Sequence, residues 1–400
     1  MIIRDPVSQP TGAAGRAVAA GRQPATASVR GKRQGCDTSY PETQVQISIT
    51  RPSDLGSAEI ARWDAMQRET GTLANPYLGP EFAIAVDHFR PDARLAVLTD
   101  GPALVGFFPF QRRRFGVGVP IGAGLSDCQG LVHAPGVEWD ARELLRACKL
   151  TEWQFDHLVV GQAPFQRYVS AVAPSPVIDL TDGFAAYREK LRIKSPRFGG
   201  DVARKARRLA REAGELSFVV DCRDTTVLHA LMNWKSEQYH RNGWVDVFAR
   251  PWIADLINYL FGIHGNAFAG LLSVLFAGET PVAAHFGIRS RHILAHWFPA
   301  YDVRFARQSP GLIQHLRMAE EAPAVGIDLI DMGIGTERYK QTLKSYDLFV
   351  AEGVVARGAM SARAHRVRTA QADWARRQVK RNPMLFRLAD RLLRHSGRVG

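Results

Sequence analysis

The stretch ILAHWFPAYDVRFARQSPGLIQHLRMAEEA, residues 293–322, decides how the chain is read. Its opening, 293–298, is apolar and aromatic and reads as a strand; a polar loop, 300–308, leads into a helix that starts at Ser309-Pro310-Gly311 and runs to about 322. Pro310 in the first helical turn needs no amide partner, and Ser309 is suited to cap the helix. The backbone N–H groups left free there, with the helix dipole, make an anion site fit for a pyrophosphate. Ser-Pro-Gly also opens ordinary strand-to-helix connections, so the turn alone assigns no ligand.

The flanking residues extend the pattern in both directions. Upstream lie a strand at 216–220, helices at 225–240 and 251–263, and strands at 269–276 and 281–288 joined through Gly278-Glu279-Thr280. Downstream follow a strand at 327–331, a short helix at 336–343 and a last strand at 348–355. The order over 216–355 is therefore β-α-α-β-β-β-α-β-α-β. Residues 45–183 repeat much of it: a strand at 45–50, a helix over 58–69 capped by Ser57, a short helix near 81–88, and strands at 95–99 and 104–111 around Asp100-Gly101. A Gly-rich segment (112–136), a helix (139–149) and strands at 155–160 and 177–180 complete this unit. Between the two lies a basic connector, 184–214, in which Val202, Ala206, Leu209, Ala210 and Ala213 recur at helical spacing until Gly214 stops the helix. The expected fold class is α/β with mixed sheets, in two tandem modules.

Charge separates the tails from the body. The chain has 400 residues, 52 Lys and Arg against 39 Asp and Glu, and a formal net charge of +13. Residues 1–44 hold six bases and three acids, and 356–400 hold twelve bases against Asp373 and Asp390, leaving 45–355 with thirty-four of each sign. General nucleic-acid binding by the body is not expected from a neutral count. Residues 1–44, rich in Gly, Ala, Ser, Thr, Pro and Arg without hydrophobic period, read as disordered. In 356–400, Leu385, Leu388, Ala389 and Leu392 share a helical face opposite Arg387, Arg391 and Arg394, a pattern suited to an anionic membrane surface.

Four widely spaced cysteines, Cys36, Cys128, Cys148 and Cys222, offer neither a zinc spacing nor a disulfide framework. No metal is expected. The first 30 residues lack the apolar core of roughly ten residues that a secretory signal needs. The longest mainly apolar run, 267–278, falls short of the about 20 residues that span a bilayer. The expected location is the cytoplasm, with peripheral contact at the inner membrane face through the basic tail.

Six motifs together carry a family resemblance: N-P-Y-L-G-P-E-F (75–82), L-S-D-C-Q-G-L-V (125–132), the basic connector, P-V-A-A-H-F-G-I (281–288), W-F-P-A-Y-D-V-R-F-A-R-Q-S-P-G-L (297–312) and D-M-G-I-G-T-E-R-Y-K (331–340). Over 45–355 the chain resembles the GNAT acyltransferase superfamily, and within it the cellulose-biosynthesis-type (CelD/BcsL) acetyltransferases. The resemblance implies two GNAT-like modules in one chain, as in the Fem-like peptidoglycan-bridge aminoacyltransferases: 45–183 on the acceptor side and 215–355 with the acyl-CoA site. It implies acetyl-CoA or another acyl-CoA as co-substrate, its phosphates near Arg307, Gln308, Ser309 and Gly311, its pantetheine between the strands at 293–298 and 327–331, and Trp297 beside it. The four-glycine acyl-CoA loop of the superfamily is absent, since 306–311 keeps one glycine.

Acyl transfer to an amine needs a base for an N–H proton and an acid for the departing thiolate. His285 is the expected base because an unperturbed imidazole titrates at about 6.5; Asp331 and Glu337 are alternative bases or orienting groups. Tyr339 or Tyr301 is the expected acid. Lys340 is suited to an anionic acceptor, and Asp127 and Gln129 to hydrogen-bonding the acceptor. Trp234, Tyr239, Trp244, Trp252, Trp297 and Tyr301 offer flat faces to sugar rings. The expected activity is acyl-CoA-dependent N-acyltransfer to an amino or hydroxyl group of a surface polysaccharide, a glycolipid or a precursor. Two other readings stand beside it: an aminoacyl-tRNA-dependent aminoacyltransferase whose basic connector meets tRNA, and a non-catalytic scaffold of a membrane polysaccharide synthase.

Overall fold

A computed structural model describes residues 45–358; the expectations for 1–44 and for the tail beyond 358 lie outside them. The strands in chain order are β1 (Gln46–Thr50), β2 (Ala93–Asp100), β3 (Ala103–Arg112), β4 (Val117–Pro120), β5 (Val132–His133), β6 (Glu152–Val159), β7 (Val169–Asp179), β8 (Leu216–Val219), β9 (Ala269–Ala277), β10 (Thr280–Arg289), β11 (Ile293–Tyr301), β12 (Leu329–Asp331) and β13 (Tyr346–Ala356). The helices are α1 (Ser57–Glu69), α2 (Pro80–Phe89), α3 (Ala141–Ala147), α4 (Ala163–Gln166), α5 (Gly183–Lys194), α6 (Phe198–Ala213), α7 (Thr225–Arg241), α8 (Pro251–Phe261), α9 (Pro310–Glu321) and α10 (Arg338–Leu343).

All thirteen strands join one mixed sheet, in the order β1-β2-β3-β4-β6-β13-β7-β12-β11-β10-β9-β8, with β5 beside β3. Two strand pairs are parallel, β4 with β6 and β11 with β12, and each sits at the same place in its half of the chain. The last strand of each half is exchanged: β13 lies between β6 and β7, and β7 lies between β13 and β12. Each half thus completes the other's sheet.

One core covers a face shared by both halves. Trp63 of α1 stacks on Phe107 with centroids 4.7 Å apart, and its indole N–H donates to the Leu78 carbonyl at 2.8 Å. Tyr77 and Phe82 meet Trp297 of β11 edge to face, so aromatic rings from both halves interlock. Removing a side chain such as Trp63 costs about 3–5 kcal/mol in a close-packed interior. On the opposite face the core divides, with α3 over the first half and α5, α6 and α9 over the second.

Several local expectations change. The basic connector is two helices, α5 and α6, because Ser195-Pro196 breaks it where proline removes a donor and restricts the residue before it. The helix at 58–69 begins one residue early: Ser57 is helical, Gly56 precedes it, and the Glu59 carboxylate accepts from the Gly56 N–H at 2.8 Å. β7 is far longer than 177–180. Its prolines at 174 and 176 face one edge, so the donors they lack are missing from that edge alone.

The feature that positions the site is the parting of β11 from β12. The two pair only over 293–295 and 329–331, while β11 continues to Tyr301. A bulge places His296 and Trp297 opposite Gly287 and bends β11 at the point of parting. The corresponding gap in the first half is closed: β4 and β6 pair at 117–118 and 152–153, and Gln129 bridges to Leu158 farther along.

Candidate active site

A cavity of about 1230 Å³ lies on the open edge of β11. Its walls are residues 299–301, the start of α9 at Ser309 and Gly311, the connector from Ser195 to Lys205, the face of α7 carrying Lys235 and Gln238, Trp244, and Glu337 with Tyr339 by α10. Lys205 brings positive charge to the Ser309 end, and Arg197 also lines the cavity.

Ser309 adopts φ 52° and ψ 54°, a left-handed conformation that costs a residue with a Cβ about 1 kcal/mol. Its side chain does not cap α9, contrary to expectation, because this backbone turns the hydroxyl toward α6, where it accepts from Lys205 Nζ at 2.8 Å. The helix start therefore meets the cavity with a basic side chain pinned beside it, a setting that favours an anion.

A file of rings runs inward from the cavity, beginning with Tyr339 and His315 on its wall. His285 stacks on His296 at 4.1 Å, His296 lies 4.7 Å from His315, and His315 meets Tyr339 edge-on at 4.9 Å. Burial, with repulsion from neighbouring cations and imidazoles, holds His285 and His296 well below the usual histidine range and brings His315 to about 4. All three are neutral at physiological pH. His315 Nδ1 contacts the Gly311 carbonyl, which assigns that nitrogen as the donor. Burial, and secondarily the Glu337 charge, raise the Tyr339 hydroxyl above its usual value, so it keeps its proton. Burial and nearby Lys340 lower Lys235 to about 8, against the opposing pull of Glu337.

A second polar cluster joins the two halves. Asp331 accepts from Asn75 Nδ2 at 3.1 Å, Ser175 Oγ at 2.8 Å and the Gly333 N–H at 3.0 Å. Burial nonetheless raises its pKa. Asp127 faces His157 at 3.3 Å and lies against Gly333, where a Cβ would stand 3.0 Å from its carboxylate. The Tyr77 hydroxyl is buried in the same region, and its proton is held by burial and by the charges of Asp127 and Asp331.

The structure brings Tyr301, Ser309, Gly311, Glu337 and Tyr339 to the cavity. His285 does not reach it: the side chain is fully buried, with His296 and His315 between it and Tyr339. Trp297 belongs to the shared aromatic core, Arg307 is exposed outside the cavity, and the Gln308 amide is tied to Glu212 of α6. Asp331 and Asp127 sit in the polar cluster. Gln129 is tied within the first half, its carbonyl accepting from the Asp156 and His157 N–H groups at 3.0 Å each while its amide donates to the Asp156 carboxylate at 2.7 Å and to the Ser126 carbonyl at 3.1 Å. Lys340 holds the Gly333 and Ile334 carbonyls and pairs with Glu337 at 3.6 Å. Gly335 permits this, since a Cβ there would overlap the Glu337 carboxylate and stand 2.7 Å from Lys340 Nζ.

Sequence reasoning missed Lys235 and His315. A lysine within an amphipathic helix and a histidine four residues after Gly311 resemble solvated and core residues until the sheet places them. Among the described residues there is no group of acids, histidines and cysteines that would hold a metal, and no helix is long and apolar enough to cross a membrane.

Residues 199–341 match the family described as acetyltransferase (GNAT) domain. No curated protein matches the chain. Among solved structures, FemX is similar with a TM-score of 0.50 at 10% identity over 74% of this chain and 94% of its own, which shows a shared fold. Also similar are the C-terminal domain of a putative lysylphosphatidylglycerol synthetase from Agrobacterium fabrum (TM-score 0.48, 12% identity, 78% of this chain and 96% of that one) and a tandem GNAT protein from the clavulanic acid biosynthesis pathway (0.47, 11%, 79% and 99%). Over residues 199–341 the chain is similar to GNAT acetyltransferase domains, and this match together with the shared fold supports an acyltransferase.

Proposed function

We propose that the protein is a cytoplasmic acyl-CoA-dependent N-acyltransferase of the cellulose-biosynthesis type, acting on an amino or hydroxyl group of a surface polysaccharide, a glycolipid or a precursor of one. The observation that carries the reading is the cavity at the parting of β11 and β12, where the start of α9 and the basic helix α6 meet an open strand edge. Pyrophosphate belongs at Ser309–Gly311 beside Lys205, and the pantetheine arm along 299–301. The neutral Tyr339 hydroxyl returns a proton to the departing thiolate. Glu337, the carboxylate that faces the cavity beside it, takes the proton of the attacking amine, the role expected of His285 from sequence. Trp244 and Tyr301, 40% and 37% exposed, present flat faces suited to a sugar ring at the cavity wall.

The first half shapes the acceptor side, because its own strand gap is closed by Gln129. Thermal-shift measurements with acetyl-CoA and with aminoacyl-tRNA test the donor, since a ligand that binds the native state raises its melting temperature. Stabilisation by acetyl-CoA is expected; stabilisation by aminoacyl-tRNA alone would reassign the donor, and stabilisation by neither would favour a scaffold role.

A further inference from the structure

Pro299 interrupts the row of donors on the open edge of β11. It stands opposite His285 of β10. A residue without an N–H fits a sheet where its backbone groups turn away from the neighbouring strand. The Pro299 carbonyl accordingly faces the other edge, the one opened by the departure of β12, and accepts from Lys235 Nζ at 3.1 Å. A thioester carbonyl lying along this edge finds no strand amide at position 299. It finds the Lys235 ammonium instead.

That ammonium lines the cavity and lies 5.5 Å from the Tyr239 ring centroid. Of its three N–H groups one serves the Pro299 carbonyl, and no other hydrogen bond from it forms among the described residues. Two donors are therefore left to the cavity that Lys235, Pro299 and Tyr339 line together.

We propose that Lys235 is a catalytic residue of the acyl transfer, holding the acyl carbonyl oxygen through its remaining N–H groups and stabilising the negative charge that gathers there. The proposal rests on the acyl-CoA reading above. The amine lone pair forms the C–N bond while the carbonyl π pair moves to oxygen; collapse breaks the C–S bond, and that pair leaves with sulfur. The amine proton passes to Glu337 and the thiolate takes one from Tyr339, which Glu337 restores through solvent. Lys235 keeps its proton throughout. Losing one such donor lowers kcat by about 10²–10³-fold in sites of this kind.

Protonation sets the direction of the pH effect. The groups around the ammonium are Tyr239 on α7, Glu337 just before α10, Tyr339 and Lys340 on it, His315 on α9, His296 on β11 and His285 on β10. The histidines are neutral and the two tyrosine hydroxyls protonated over pH 7–9, whereas Lys235 loses its charge through about pH 8. An oxyanion donor therefore weakens above that pH, and a lysine base would strengthen.

Isotope-edited infrared spectroscopy of carbonyl-labelled acetyl-CoA bound to the full-length protein tests this without knowledge of the acceptor. The bound carbonyl stretch should lie below that of free acetyl-CoA at pH 7, relax through about pH 8, return to the free value in Lys235→Met and stay shifted in Lys235→Arg. A bound carbonyl with the same frequency in wild type and Lys235→Met overturns the proposal. If Lys235→Met does not fold, a wild-type band that is pH-independent from 7 to 9 overturns it equally. Failure of the wild type to bind acetyl-CoA would instead remove the acyl-CoA reading and the proposal with it.

Discussion

Lys205 reaches from α6 to donate 2.8 Å to the hydroxyl of Ser309, whose left-handed backbone opens α9. This bond couples the basic connector to the helix start where we propose that phosphate binds, and the charge-assisted donor can turn to a phosphate oxygen. Lys205→Ala should weaken acetyl-CoA binding about tenfold, or ~1.4 kcal/mol, and reduce the salt dependence of binding. Calorimetric titration at two salt concentrations checks both; an unchanged Kd would remove Lys205 from the phosphate site.

The file of buried imidazoles makes the fold acid-sensitive. A histidine lowered to about 4 in the folded state, like His315, binds fewer protons there than in the unfolded chain, so stability rises with pH from about 4 to the ordinary 6.5 and is lost as pH falls. At the acid end this amounts to about 3 kcal/mol for His315. Urea denaturation between pH 7 and 4 should show the fall, and His315→Gln should flatten it; an identical pH slope in the variant would contradict the neutral imidazole.

Gly335 leaves room for Glu337 and Lys340 to fold onto the loop. The side chains in the way are flexible, so Gly335→Ala should shift the melting temperature by only a few degrees while displacing Glu337. The expected result is a kcat reduced at least tenfold, the scale of a lost proton acceptor. Steady-state kinetics decide; a changed KM with unchanged kcat would move Glu337 out of the proton path.

Asp331 ties the halves through Asn75, Ser175 and the Gly333 N–H. Asp331→Ala leaves those donors buried without their acceptor, and the loss should be about 2–4 kcal/mol. Chemical denaturation measures it. A loss below about 0.5 kcal/mol, the range of ordinary surface changes, would show that the cluster does not hold the halves together.

Local patterning made most of the fold legible. The hairpin of β9 and β10, the strand and helix on either side of Ser309, and the repeat of the plan in both halves follow from alternation, helical spacing and turn residues. The exchange of β7 and β13 has no local signal, because pairing between residues 169–179 and 346–356 depends on contacts far apart in the chain. Two prolines further hid the length of β7. At the site, the Ser309–Gly311 turn and Tyr339 were legible from their own residues. His285 was misplaced because alternation gives the face of a strand but not which rings stand in front of it. Lys235 gave no signal, since its meaning comes from a carbonyl on a strand that lies sixty-odd residues later.

The most direct measurement of the central claim is a crystal structure of the full chain grown with saturating acetyl-CoA. Pyrophosphate is expected at Ser309–Gly311 beside Lys205 and the pantetheine arm along residues 299–301, with its thioester between Lys235 and Tyr339. Acetyl-CoA lodged elsewhere, or this cavity without ligand in the folded protein, would contradict it.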